Sequence, residues 1–137
     1  MTRPILLDTC ALLWVGNQSP ILESAAAVLA EAGRVPGGLQ VSPISAWELG
    51  QLVAKERVAL PMNPLGWFTA ALESGIELAP MPPDVLIGAS FLPSALLRDP
   101  ADRIIAATVR AYAYRLMTRD RPLLEFAAEG HMQAIAC

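Results

Sequence analysis

Short apolar segments alternate with longer amphipathic stretches along the whole chain. Residues 4–7 form a fully apolar run, which indicates a strand buried on both faces, as in a parallel sheet. Further short strands are predicted at residues 39–42, 75–79 and 115–118, with a weak edge strand at 132–136. Helices are predicted at residues 10–15, 20–32, 43–56, 83–91, 100–114 and 122–129, together with one that contains Trp67 and ends near residue 74.

Several predicted helices begin with the same signal, a capping residue followed by proline. It occurs at residues 19–20, 42–43 and 99–100, and proline suits the first helical position because its missing N–H is not needed there. The alternation of strands and helices predicts an α/β fold, namely a three-layer α/β/α arrangement with a mainly parallel sheet of four to five strands. We expect residues 1–137 to form a single domain, because no linker or repeat divides them.

Four carboxylates stand beside these predicted elements: Asp8, Glu48, Asp102 and Asp120. Asp8 and Asp120 follow strands, whereas Asp102 lies in the first turn of one helix and Glu48 in the second turn of another. Ligands of parallel α/β sheets bind at the carboxyl ends of the strands. We therefore expect the four acids to converge there, where they would bind Mg²⁺ or Mn²⁺ and support cleavage of a phosphodiester.

Each acid also has an ordinary structural interpretation. Asp99 is interpreted as a helix cap rather than a ligand. The charge of Asp102, in the first turn, interacts favourably with the helix dipole, and its side chain can also face the sheet edge. Asp120 equally suits a helix cap, and Glu48 taken alone would be a helix-border residue. Three hydroxyls accompany the acids and would orient carboxylates or hold metal-bound water: those of Thr9, Ser45 and Thr118.

Composition narrows the setting in which the protein works. No uncharged stretch reaches the roughly 18–20 residues that a membrane span needs, although the mean hydropathy is +0.43. The acid at Asp8 comes too early for a signal peptide. Cys10 and Cys137 form neither a disulfide framework nor a zinc motif, and His131 has no partner for a histidine-based site. We therefore expect a cytoplasmic protein without a membrane segment. Its excess apolar residues would form a deep core and an interface with a partner.

The net charge of −3 makes nucleic acid a poor first guess for the ligand. However, the four acids contribute −4, so the rest of the chain carries +1, and a bound divalent ion would offset much of the acidic site. Arginine makes up nine of the ten basic residues, and six arginines fall between Arg98 and Arg121. The planar guanidinium of arginine binds phosphate through two hydrogen bonds better than lysine does. A position on a solvated helix face nevertheless explains any single one of these arginines equally well.

Four segments carry a resemblance to a known family: residues 6–14, 41–49, 98–108 and 117–120. With these segments, in this order and at these separations, the chain resembles the PIN-domain ribonucleases, and most closely the VapC toxins of type II (VapBC) toxin–antitoxin systems. The resemblance extends over essentially the whole chain. Two positions depart from it, since relatives often carry histidine where Cys10 and Leu97 stand.

The resemblance implies an endoribonuclease with Asp8, Glu48, Asp102 and Asp120 as a catalytic Mg²⁺ or Mn²⁺ site. It also implies polar neighbours at Thr9, Ser45 and Thr118, and products with a 5′-phosphate and a 3′-hydroxyl. The expected partners are an RNA substrate, a VapB-type antitoxin that suppresses activity near the acids, and a second copy in a homodimer. Candidate contacts to the RNA backbone are Arg98, Arg103, Arg119 and Arg121.

Two other functions remain open at this point. An aspartyl-phosphate phosphatase would also place Asp8 after the first strand, but it needs a second aspartate where Cys10 stands and a lysine near the site, and Lys55 is the only lysine. A module that binds a partner without catalysis is the other alternative. Trp14, together with Trp67 and Phe68, is a candidate for a partner surface, with ordinary core packing as the competing interpretation.

Overall fold

The protein is described by a computed structural model covering residues 2–137. Five strands form one parallel sheet in the order β3-β2-β1-β4-β5. The strands are β1 (Ile5–Leu7), β2 (Leu39–Val41), β3 (Glu77–Leu78), β4 (Arg115–Thr118) and β5 (Gln133–Ala136). The helices are α1 (Thr9–Gly16), α2 (Glu23–Ala32), α3 (Ile44–Ala54), α4 (Pro64–Glu73), α5 (Pro83–Gly88), α6 (Pro100–Tyr112) and α7 (Arg121–Ala128).

The central strand β1 is apolar because both faces of the sheet are covered. Ile5, Leu6 and Leu7 have no exposed surface. Side chains alternate across a strand, so Ile5 and Leu7 pack in one core while Leu6 packs in the other. β1 pairs with β2 on one side and with β4 on the other, which brings the carboxyl ends of the three strands together.

Helices cover the two faces of the sheet and so form the outer layers. The first core contains Leu12 of α1, Ala25 of α2, Leu49 of α3 and Trp67 of α4. The second contains Ile105 of α6 and Phe126 of α7. The predicted three-layer α/β/α fold with a parallel sheet is therefore confirmed.

Some local predictions were wrong. α2 begins at Glu23 rather than at residue 20, because Leu22 has a non-helical backbone with a ψ of 139°, and its N–H donates to the Cys137 carbonyl. The predicted strand at 75–79 shortens to two residues, since Gly75 has a φ of 113° that a strand does not allow. None of the helices within residues 2–137 has the length and apolar character needed to cross a bilayer.

The aromatic residues proposed for a partner surface lie mostly in the interior. Trp67 and Phe68 are each 7% exposed and belong to the first core, so the interpretation of both as core aromatics is confirmed and neither is available to a partner surface. Trp14 packs against the same core and lies under the guanidinium of Arg119, whose Cζ is 3.7 Å from the ring centroid. The exposed aromatic side chains with the most accessible surface are instead Trp47 and Phe91.

Candidate active site

Three of the helices that begin at the carboxyl end of the sheet are capped by an aspartate. Asp8 caps α1 by accepting from the N–H of Ala11 at 2.7 Å, and Asp99 caps α6. Asp120 caps α7 by accepting from the N–H of Leu123 at 3.2 Å. The partial positive charge of a helix N-terminus favours a carboxylate, so ordinary capping brings negative side chains to one edge. The capping interpretations of Asp99 and Asp120 are confirmed.

Asp8 and Asp120 are joined through Thr118, the last residue of β4. The Thr118 hydroxyl donates to Asp8 Oδ2 at 2.5 Å and accepts from the Asp120 N–H at 3.0 Å. Asp8 is 5% exposed and Thr118 is fully buried. Burial raises the pKa of Asp8, while the hydrogen bonds from Thr118 and Ala11 oppose that rise.

Glu48 is held by a second hydroxyl, that of Thr9 at the start of α1. Thr9 Oγ1 donates to Glu48 Oε1 at 2.5 Å and lies within hydrogen-bonding distance of Ser45 Oγ, at 2.9 Å. Thr9 and Ser45 are buried and Glu48 is half-buried. Burial raises the pKa of Glu48, and the charges of Asp99, Asp8 and Asp120 add to that rise. Of the three hydroxyls singled out from the sequence, Thr9 and Thr118 therefore bond to the acids directly, whereas Ser45 contacts the cluster through Thr9.

Asp102 completes the cluster from the first turn of α6. Burial raises its pKa to about 8, with the charges of Asp99, Asp120, Glu48 and Asp8 adding to the effect in that order. The carboxylate makes no hydrogen bond with any other residue in the range 2–137. Three of the four predicted acids therefore have raised pKa values, and the charge of the fourth, Asp120, contributes to each of these shifts. Asp99, which was assigned to capping alone, also acts on this cluster, and its signal in the sequence is its three-residue spacing from Asp102.

Among the described residues, no cationic side chain forms an ion pair with the cluster. Within residues 2–137 the one ion pair joins His131 to Glu129, away from these acids. Across the same residues, no three His, Cys, Asp or Glu side chains already converge tightly enough to enclose a metal ion. The donor chemistry nevertheless fits a divalent cation, because uncompensated carboxylate oxygens are the ligands that Mg²⁺ and Mn²⁺ prefer.

The four arginines predicted to contact RNA differ in their surroundings. Arg103 donates from Nε to the Ala89 carbonyl at 2.8 Å and from Nη1 to the Leu97 carbonyl at 2.6 Å, so its fork is occupied by backbone. Arg119 donates to the Cys137 carbonyl at 2.8 Å. Arg98 and Arg121 are exposed at the starts of α6 and α7. These last two remain the better candidates for phosphate.

The two positions at which the resemblance leads us to expect histidine, Cys10 and Leu97, differ in exposure. Cys10 is at the surface, and desolvation by neighbouring atoms together with the nearby carboxylates raises the pKa of its thiol to about 11. The thiol is therefore neutral near pH 7. Leu97 is 1% exposed and belongs to the second core, where histidine would need a polar partner.

A family model described as "PIN domain" matches residues 5–129. Together with the sheet and the acidic cluster at its carboxyl end, this match shows that the chain belongs to the PIN-domain family. Within that family the chain is 34% identical to Ribonuclease VapC22 of Mycobacterium tuberculosis (strain ATCC 25618 / H37Rv) over 119 residues, which cover 87% of this chain and 88% of that protein. It is therefore similar to VapC ribonucleases over most of its length.

Solved structures show the same fold at lower identity. A chain of VapBC2 from Rickettsia felis, crystallised with a DNA fragment from its promoter, matches with a TM-score of 0.71 at 17% identity, covering 97% of this chain and 98% of that one. A chain of DNA-bound VapBC from Salmonella typhimurium matches with a TM-score of 0.69 at 17% identity, covering 99% and 98%. PAE2754 from Pyrobaculum aerophilum matches with a TM-score of 0.66 at 18% identity, covering 99% and 90%.

Proposed function

We propose that this chain is the toxin of a VapBC-type toxin–antitoxin pair and acts as an endoribonuclease that needs Mg²⁺ or Mn²⁺. The observation that carries the proposal is the group of four carboxylates at the carboxyl end of the sheet, none of which forms an ion pair with another of the described residues. The pKa values of Asp8, Glu48 and Asp102 are raised there, in part by their neighbours' charges. Similarity to Ribonuclease VapC22 supports RNA as the substrate. The exposed arginines Arg98 and Arg121 would bind the RNA backbone beside the acids.

In this proposal Asp8, Glu48, Asp102 and Asp120 would hold the metal. The bound ion would polarise a phosphate oxygen and make water a better nucleophile near neutral pH. The chain itself orients the site, since Thr118 fixes Asp8 and Thr9 fixes Glu48 through hydrogen bonds of 2.5 Å. The buried position of Thr118 excludes water from one side of Asp8, which keeps that carboxylate in a single orientation.

The test is cleavage of RNA by the purified chain with Mg²⁺ or Mn²⁺. We expect an excess of chelator to abolish cleavage and Asp8→Asn to lower kcat/KM by more than about 100-fold, because even residues that only orient metal ligands contribute 10- to 100-fold. Mapped ends should carry a 5′-phosphate and a 3′-hydroxyl. Asp84→Asn is the matched control, since Asp84 is an exposed aspartate in the first turn of α5.

Two results would count against the proposal. Cleavage that persists with chelator or with Asp8→Asn would mean that the four carboxylates and a bound metal are not required for catalysis. An absence of Mg²⁺ and Mn²⁺ binding at millimolar concentration would instead favour a binding module without catalysis.

The proposed partner is a VapB-type antitoxin, and the matched VapBC2 and VapBC structures support it. We expect the antitoxin to suppress cleavage by placing a basic or blocking segment near the acids. We also propose a homodimer, because apolar side chains such as Leu65 and Ile87 are 77% and 64% exposed. Full ribonuclease activity of the purified toxin–antitoxin complex would contradict the first expectation, and a monomer in sedimentation analysis the second.

A further inference from the structure

A cleft of about 270 Å³ opens beside the acidic cluster. Most of the residues that line it have no role in the proposed metal site. Thr9 and Glu48 line one end, so the cleft is continuous with the proposed catalytic carboxylates. Its walls also include Trp47 and Lys55 from α3 and its C-terminal end. Trp47 directly precedes Glu48 in the sequence, and this adjacency is the local signal that could have pointed to it.

The side chains along this cleft follow the period of α3. Trp47, Gln51 and Lys55 stand at positions i, i+4 and i+8, which places them on one face of the helix. The rise of about 1.5 Å per residue separates the first from the last by about 12 Å. The cleft is therefore an elongated track that begins at the carboxylates.

Trp47 is an unusual residue to leave in water. Its side chain is 59% exposed, whereas Trp67 is 7% exposed and Trp14 packs against the first core. An exposed indole beside a reactive site offers a flat surface on which a planar ligand can stack. Unpaired nucleic-acid bases stack on aromatic side chains with little dependence on sequence, because every base has a π face.

Two cations, Lys55 and Arg57, also line the cleft, just after the C-terminal end of α3. Both are exposed, and neither forms an ion pair with another of the described residues. Free cations near a phosphodiester-cleaving site are suited to backbone phosphates. They also disfavour a basic protein segment at this end of the cleft, since like charges repel.

We propose that this cleft binds single-stranded RNA next to the cleaved bond. Trp47 stacks on an unpaired base, and Lys55 and Arg57 bind phosphates on the same side of that nucleotide. The proposal rests on the proposed ribonuclease function for its substrate, but it assigns residues outside the acidic cluster. It also implies that the substrate is unpaired where it enters the site, since a base within a duplex cannot stack on Trp47.

The first experiment measures binding of a short fluorescent single-stranded RNA in an Asp102→Asn background, which prevents cleavage. We expect Trp47→Ala to raise the Kd by about tenfold and Trp47→Phe to retain most of the affinity. Phe91→Ala is the matched control, because Phe91 is an 80% exposed aromatic that lines a different cavity. Moving a single abasic site along the RNA should find one position at which Trp47→Ala no longer matters.

The second experiment tests the phosphate contacts through salt dependence. For single strands the slope of log K against log[salt] changes by about 0.7 per phosphate contact. The double variant Lys55→Gln/Arg57→Gln should therefore lower the slope by about 1.4. Arg34→Gln is the control, because Arg34 is exposed in the loop before β2, at the opposite end of the sheet.

The outcomes separate this proposal from the proposed function. If the chain cleaves RNA in a metal-dependent way but Trp47→Ala does not change its affinity for RNA, the proposed RNA cleft is wrong and the proposed ribonuclease function stands. Weaker antitoxin binding by Trp47→Ala, with RNA binding unchanged, would assign the surface to a protein partner and also overturn it. Trp47-dependent RNA binding by a chain that does not cleave RNA would support the cleft and count against the ribonuclease.

Discussion

The two ends of the parallel sheet carry different kinds of polar group. At the amino end, Arg115 donates from Nε and Nη2 to the Arg3 carbonyl at 3.1 and 2.9 Å, beside a cavity of about 330 Å³. At the carboxyl end the cleft is smaller, about 270 Å³, but it adjoins carboxylates without a counter-ion. The proposed active site therefore lies at the end with uncompensated charge and not at the end with the larger of these two cavities.

Parallel strands explain why the ends differ. All five strands point the same way, so the helices that follow β1 and β4 begin at the carboxyl end. Helix N-termini favour negative groups, and Asp8 and Asp120 serve as caps there. The amino end instead receives helix C-termini and tight loops, which require close packing but no cluster of like charges.

The largest expected effect comes from a substitution that disrupts the amino end of the sheet and leaves the acidic site unchanged. A Cβ on Gly38 would lie 2.0 Å from the Ala32 carbonyl oxygen, a backbone atom that cannot move aside easily. We expect Gly38→Ala to lower the free energy of unfolding by about 3 kcal/mol, while the activity per folded molecule stays unchanged. Chemical denaturation measures the first quantity and active-site titration the second.

The control for that prediction is Gly88→Ala on α5, where an added Cβ meets nothing within 4 Å. It should be neutral or stabilise the protein by up to about 1 kcal/mol, because alanine favours helix. Equal destabilisation by both variants would show that the close approach at Gly38 does not matter.

A smaller effect tests the carboxyl end through Thr118, the hydroxyl that links Asp8 to Asp120. Thr118→Val removes the hydroxyl at nearly the same volume, and we expect kcat to fall by about 10- to 100-fold. Metal titration should show weaker binding, and Thr118→Ser should restore both properties. Loss of activity with unchanged metal affinity and no rescue by serine would mean that packing, rather than the hydrogen bond, is responsible.

The smallest effect concerns stability and pH in the presence of chelator. The folded-state pKa of Asp102 is raised from 3.8 to about 8, so folding favours the protonated acid. Its contribution is complete below about pH 4 and is lost as the pH rises towards 8. We expect the metal-free Tm to fall by a few degrees between pH 5 and 8.

Two comparisons check the origin of that slope. Asp102→Asn should flatten it, whereas Asp84→Asn at an exposed position should not. Millimolar Mg²⁺ at pH 8 should restore most of the lost Tm, since a cation bound to the folded state offsets the repulsion. A Tm that does not depend on pH or Mg²⁺ would mean that the acids do not repel one another as their environment indicates.

Much of the fold could be predicted because its signals are local. The apolar run of β1 and the Asp99–Pro100 start of α6 depend only on neighbouring residues, and both elements begin within a residue of their predicted starts. The predicted start of α2 was wrong because Leu22 bonds to Cys137 at the far end of the chain. No local pattern contains that contact.

The candidate site likewise combines features that follow from local sequence with features that depend on distant contacts. The sequence by itself determined which acids and hydroxyls stand beside strand ends and helix starts, because capping and burial are decided within a few residues. Only the tertiary structure decided that Thr118 reaches Asp8 across 110 positions and Thr9 reaches Glu48 across 39. It also decided that Trp47 faces water while Trp67 is buried, since the exposure of an aromatic on an amphipathic helix depends on which other elements cover that face.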